Sequence, residues 1–300
     1  MARTAAVSPG AELASDSRKK GLWREAWIRM RRNRASILGM VILGVIVLLA
    51  IFADVIADYD GVVTKVDMTL RLAPPSLAHI FGCDELGRDL FARIIHGARI
   101  SLTIGFVSEV VALTLGMFLG AASGYFGGKI DNVIMRCMDV FMAIPSLLLS
   151  IAMVTAFGNG TPVLILAVAV GSVPSLSRVV RAQVMSIKGQ EYVEAARALG
   201  ASNFTIITRY IIPNIMSPII VQVALDIAGA IMTISSLSYL GLGVSAPTPE
   251  WGSILSAGQT YIRDVWHITV FPGLMIVITV IALNMIGDGL RDALDPKMKR

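Results

Sequence analysis

Apolar residues gather into six long runs, roughly 36 to 57, 100 to 123, 132 to 157, 162 to 182, 215 to 240 and 268 to 288. A helix needs about 20 mostly apolar residues to cross the hydrocarbon of a bilayer. The pattern therefore predicts an all-α polytopic membrane protein with six transmembrane helices. The fourth run is the weakest, because Pro174 interrupts it and Arg178 and Arg181 follow. Six spans put both termini on one side and divide the chain into a segment 1–35, a first span 36–57, a loop 58–99, a core 100–290 and a tail 291–300.

The polar positions supply the orientation. With the N-terminus inside, all but six of the 26 Lys and Arg residues lie inside, the exceptions being Lys65, Arg71, Arg88, Arg93, Arg99 and Arg263. That bias follows the positive-inside rule and makes both termini cytoplasmic. The first 35 residues do not read as a cleavable signal, since the apolar run after them exceeds the about 7–15 residues of a signal core. In LWREAWIRMRRNR, Leu22, Trp23, Ala26, Trp27 and Met30 share one helical face. This segment is either a helix lying on the inner leaflet or a charged anchor that only fixes orientation.

Composition agrees with a bilayer location. Hydrophobic residues make up 55% of the chain and charged residues 16%, with a mean hydropathy of +0.72, which excludes an aqueous enzyme. The net charge of +5 belongs to cytoplasmic loops, and no nucleic-acid partner is implied. Cys83 falls outside the membrane and Cys137 near its inner surface, so the two cannot bridge.

Two external segments are long, but neither is large enough for an independent domain. In the first, DELGRDLFARIIHGARISL places Leu86, Leu90, Arg93, Ile94 and Gly97 at helical spacing, predicting an amphipathic helix that leads into the second span. The second, GLGVSAPTPEWGSIL, reads as a re-entrant or lid-like stretch with Trp251 as an interfacial anchor. Both also fit plain solvated loops. Inside, the loop at 183–214 contains EYVEAARALGASNFTIITRYIIPN. There Tyr192, Ala195, Ala196 and Leu199 form an apolar stripe, Gly200 permits a tight turn, and a second short helix is stopped by Pro213. A helix-turn-helix with a small apolar face has no use in lipid and is suited to docking on a partner.

Glu194-Ala195-Ala196, followed by Gly200 and closed by Pro213, resembles the EAA motif carried by the permease subunits of binding-protein-dependent ABC importers. Tyr210 and Ile212 replace the usual Ile and Leu and keep the segment apolar. LGRDLFARIIHGARISL, GYFGGKIDNVIMRCMDVFMAIPSLLL, YLGLGVSAPTPEWG and GDGLRDALDP resemble the second of the two homologous permeases of dipeptide, oligopeptide and nickel systems, with Cys83 where that family has Thr. The resemblance runs from about residue 25 to the C-terminus. It implies the MetI-like ABC importer permease fold and a bacterial inner-membrane, multi-pass location in contact with membrane lipid. It further implies three kinds of protein partner: a homologous permease, two ATP-binding subunits, and an extracytoplasmic solute-binding protein that delivers peptides. No cofactor is expected on this chain; ATP and Mg²⁺ belong to the partner ATPases. The loop at 183–214 would be the coupling helix, with Glu194 meeting basic or amide groups of an ATPase, Ala195 and Ala196 allowing close approach, and Gly200 setting the turn.

Other chemistries lack their residues. SGYFGGKI has Ser123 and Ile130 where a phosphate-binding loop needs Gly and a hydroxyl. His79, His96 and His267 lie in or near external segments, where they neither activate a nucleophile nor form a zinc set. Gly116, Gly120 and Gly124 permit close helix packing, within the subunit or between subunits.

Charges at membrane depth cost roughly 2.5–3.5 kcal/mol each on insertion scales. Glu109 and Asp226 are the deep ones, while Asp54 and Asp139 lie nearer the span ends and Arg136 can pair with Asp139. Asp226, with Asn284, is a candidate for the translocation path; the commoner use of such groups is an interhelical hydrogen bond. The competing class is a proton-coupled secondary transporter relaying protons through Glu109, Asp139 and Asp226, against which no inverted repeat is visible.

Overall fold

A computed structural model describes residues 24–294. Helices dominate it, and the only β pairing among the described residues is an isolated bridge between Cys83 and Asp89. Leu22 and Trp23 of the proposed interfacial face lie outside the described residues, as does the tail beyond 294. The remainder of that face is divided. Ala26 and Met30 are buried against Ala293 at the end of the last helix, whereas Trp27 is exposed and carries the Arg31 guanidinium 4.8 Å from its ring centroid.

The first span is α1 (Arg34–Ile51), started by Asn33, whose side chain accepts from Ala35 N at 3.0 Å. The second is α2 (Leu90–Phe126), which absorbs the expected amphipathic helix into one 37-residue rod of about 55 Å. Its start differs from the expectation, because Leu86 stays in the preceding turn. There the Asp84 carboxylate accepts from Leu86 N and Arg88 N at 2.9 Å, from Arg88 Nε at 2.7 Å and from Arg93 Nε at 3.2 Å. The helix begins only at the next cap, where Asp89 accepts from Ala92 N at 2.8 Å. Gly127, at φ +66°, ends it.

The third run is not a straight span. It forms α3 (Gly128–Met142) and α4 (Ser146–Phe157), bent by 87° at the intervening residues. Pro145 explains the break: it has no N–H to donate and pushes Ile144 out of helical conformation. At about 22 and 18 Å, neither half spans about 30 Å of hydrocarbon alone.

By contrast, α5 (Thr161–Ile187) runs through Pro174, which is buried inside it. Proline within a membrane helix is tolerated where neighbouring helices cover the freed backbone. The short α6 (Glu191–Ala198) follows, then α7 (Ile212–Tyr239), α8 (Trp251–Gly258) and α9 (His267–Leu294). Among the described residues, five helices are therefore long and apolar enough to cross a membrane, or six spans if the bent pair is one.

Glycines set the spacing of the core. A Cβ on Gly116 would lie 2.8 Å from Leu176 Cβ, one on Gly120 2.5 Å from Ser177 O, and one on Gly124 2.9 Å from Arg181 O. The glycine series is thus the seam between α2 and α5, within the subunit. Asp131 on α3 closes the same end, accepting from Arg181 Nε and an Arg181 terminal nitrogen at 2.6 Å each.

Trp251 is a correction to the sequence reading. It is fully buried, and its Nε1 donates to Ile94 O at 3.0 Å, so it serves as a core plug under α2 rather than an interfacial anchor. The sequence reading missed Glu250 beside it. That buried carboxylate caps α8, accepting from Gly252 N at 3.0 Å, Ser253 N at 2.9 Å and Ser101 Oγ at 3.0 Å.

Candidate functional site

The loop at 183–214 is built by local rules. α6 ends in a two-bond C-terminal cap: Gly200 N donates to Arg197 O and Ala201 N to Ala196 O, both at 3.0 Å. Gly200 sits at φ +84°, and no atom lies within 4 Å of the Cβ it lacks, so backbone conformation rather than space demands glycine there. Ser202 starts the next turn, accepting from Thr205 N at 3.2 Å.

The expected stripe splits into two faces. Val193 and Ala196 point inward and are buried, and Val193 joins a cluster with Val180, Val184, Ile206 and Ile211. Tyr192, Glu194, Ala195 and Leu199 point outward, and Leu199 is 89% exposed. Phe204, at 76% exposure, adds to the outward surface beyond the turn.

Pro213 does not stop a second short helix. Residues Asn203–Thr205, a π-helical stretch Ile206–Ile211 and α7 form one continuous rod, with Pro213 in the first turn of α7. The wider π turn accommodates the ring that would clash with an ordinary helical carbonyl. Asn214 Nδ2 then donates to Tyr210 O at 2.5 Å.

Polar bonds tie this loop to α2. Lys188 Nζ donates to Gly124 O at 2.9 Å, Tyr125 Oη to Asn203 Oδ1 at 2.8 Å, and the Arg197 guanidinium lies 5.9 Å from the Tyr125 ring centroid. These contacts join the segment around α6 to the ends of α2 and α5.

The second candidate region is a cleft of about 200 Å³ between α4, α5 and α7, lined by Ser146, Ser150, Ser172, Asp226, Thr233 and small apolar neighbours. Asp226 accepts from Gln222 Nε2 at 2.9 Å through Oδ1. Asn284 does not line this cleft; it is on the exposed side of α9, so the pair named from the sequence is not assembled in one pocket. Glu109 is fully buried and accepts from Ser172 Oγ at 2.8 Å. Asp139 is held at 2.5 Å by Arg178, a closer partner than Arg136 at 3.9 Å.

Residues 112–300 match the model of the binding-protein-dependent transport system inner membrane component, and residues 21–75 that of the N-terminal membrane domain of oligopeptide transport permease C. The chain belongs to the binding-protein-dependent transport permease family. It is 43% identical to the dipeptide transport system permease protein DppC of Alkalihalophilus pseudofirmus, over 92% of this chain and 90% of that protein. It is 42% identical to the di/tripeptide transport system permease protein DppC of Pseudomonas aeruginosa, over 92% of each. Identity to the glutathione transport system permease protein GsiD of Escherichia coli O157:H7 is 41%, over 99% of this chain and 98% of that one.

A solved chain of the inward-facing MetNI methionine ABC transporter shares the fold of this permease, with a TM-score of 0.56 at 20% identity over 68% of this chain and 97% of that one. The protein is thus a multi-pass inner-membrane permease of an ABC importer and not an enzyme. That assignment displaces the proton-coupled secondary transporter as the reading of its carboxylates. Sequence inspection named Glu109 but did not connect it to Ser172, because the two are 63 residues apart and only the α2–α5 packing brings them together.

Proposed function

We propose that this permease pairs with a homologous permease to form the path for peptides delivered by an extracytoplasmic binding protein, driven by two ATP-binding subunits through the loop at 183–214. The observation that supports the coupling role is the divided α6: Val193 and Ala196 anchor it to the core, leaving Tyr192, Ala195, Leu199 and Phe204 as an apolar surface facing outward. Glu194 on that outward side meets basic or amide groups of the ATPase, and Ala195 permits close approach. Nucleotide-driven closure of the ATPases then moves α6, and the bonds from Lys188 and Tyr125 relay that movement to α2. ATP and Mg²⁺ stay on the partner subunits. Peptides are the favoured cargo because dipeptide and di/tripeptide permeases are among the similar proteins, each matched over 92% of this chain.

The test is co-purification of the tagged chain with its partners from detergent-solubilised membrane, followed by uptake in reconstituted vesicles. Gly200→Val and Glu194→Lys should leave the permease in the membrane while lowering peptide uptake by about ten- to hundredfold, the usual range of a coupling free energy. Normal uptake by both variants, or purification of the wild-type chain alone in a transport-competent state, would remove the coupling assignment.

A further inference from the structure

The cleft between α4, α5 and α7 has an unusual hydrogen-bonding balance. Ser150 Oγ is within 3.0 Å of both Ser146 O and Ala167 O, and Thr233 Oγ1 donates to Gly229 O at 3.0 Å. Ser172 Oγ donates to Glu109 Oε1 at 2.8 Å. A hydroxyl has one proton to give. Three hydroxyls on the wall have therefore spent their protons on the protein and offer only lone pairs to an occupant.

The carboxylates point the same way. Gln222 occupies Asp226 Oδ1 and leaves Oδ2 buried without a partner. Glu109, fully buried behind Ser172, likewise leaves Oε2 unpartnered. No basic side chain lines the cleft. Gly171, Gly229 and Ala230 keep the wall low, so the space of about 200 Å³ is open to a small group. A site at membrane depth whose Ser150, Ser172 and Thr233 hydroxyls and Asp226 carboxyl present acceptors fits a cation that brings several N–H donors and no acceptor.

We infer that the cleft is a subsite for a primary ammonium group, with the Asp226 carboxyl as the direct acceptor, the Ser150 and Thr233 oxygens as further acceptors, and Glu109 holding Ser172 in its accepting orientation. The inference rests on the import reading above and narrows the cargo to solutes with a free ammonium end. Glu109 is a positioning residue, since Ser172 stands between it and the cleft.

The experiment uses the assembled importer in lipid nanodiscs, with Cys83 and Cys137 replaced by Ser and Thr233→Cys on the cleft wall as reporter. Its modification rates by 2-aminoethyl and 2-sulfonatoethyl methanethiosulfonate are compared, each scaled to its rate with free cysteine. The ammonium reagent should be favoured by about tenfold or more, and that preference should vanish when Asp226→Asn is added. Methylammonium chloride should slow the ammonium reagent, and sodium chloride at equal concentration should not. In vesicles, Asp226→Asn should lower dipeptide uptake by about tenfold while the complex still assembles, and Asp226→Glu should restore most of it.

Equal scaled rates for the two reagents, equal protection by sodium, or undiminished uptake in Asp226→Asn would each overturn the subsite. Loss of assembly in both Asp226 variants would also do so, by showing a purely structural carboxylate. A wild-type complex that carries no peptide would instead overturn the cargo reading, and the reagent comparison would still judge the cleft.

Discussion

Glu250 and Cys83 show how far a single residue's behaviour depends on what surrounds it. The Glu250 carboxylate has no cation, yet three donors from backbone and serine hold it in a fully buried position at the start of α8. Such charge-assisted bonds are what make the burial tolerable. Cys83 lies in the loop between α1 and α2, completely buried, and its thiol is pushed up to about 11 by that burial, with Asp89, Asp84 and Asp67 adding to it. A raised thiol stays protonated, so the reactive thiolate is absent until the pH approaches that value. At pH 8 iodoacetamide should therefore leave Cys83 unmodified in the folded importer and label it fully in dodecyl sulfate, as read by peptide mass spectrometry. Labelling of the native protein at the rate of free glutathione would contradict this burial. The cysteine was visible in the sequence. Its inertness was not, because it comes from carboxylates and backbone that the loop gathers around it.

Helices in this protein are specified by their apolar runs, and their pairing by the small residues within them. Gly120 and Gly44 separate the two effects. A Cβ at Gly120 would press on the Ser177 carbonyl of α5, whereas one at Gly44 on α1 meets nothing within 4 Å. Gly120→Val should cost about 1–3 kcal/mol or more through overpacking and lower the melting temperature of the purified complex. Gly44→Ala should be neutral or stabilising by up to about 1 kcal/mol, from helix propensity. Equal melting temperatures for Gly120→Val and wild type would show that α2 and α5 are not held at this seam. At the same scale, proline position alone did not determine the outcome. Pro145 breaks a span, Pro174 is carried inside one, and Pro213 sits at a π-to-α junction. What differs is whether the preceding backbone keeps its hydrogen bonds, which the neighbouring helices decide.

Across the whole molecule, the charge bias predicts that the chain ends and the loop at 183–214 face the cytoplasm, opposite the segments at 58–89 and 241–266. In a background lacking Cys83 and Cys137, Ser76→Cys should react with an impermeant maleimide added to spheroplasts, and Ala198→Cys only in inverted vesicles. Both positions are exposed, so the reverse labelling pattern would invert the topology. The sequence by itself determined the membrane class, the approximate spans, the α6–Gly200 turn and the family. Each of these is written in local composition or in short motifs, where hydrophobic burial and backbone conformation act on neighbouring residues. Only the tertiary structure decided that Trp251 is core, that the third span is bent by 87°, that Val193 rather than Tyr192 anchors the loop, and that Glu109 and Asp226 share Ser172's neighbourhood while Asn284 does not line the cleft. Apart from the bend at Pro145, these depend on partners tens to more than a hundred residues away, as with Trp251 and Ile94 or Glu250 and Ser101. Helix periodicity states which residues are apolar, but not which neighbouring helix each face will meet.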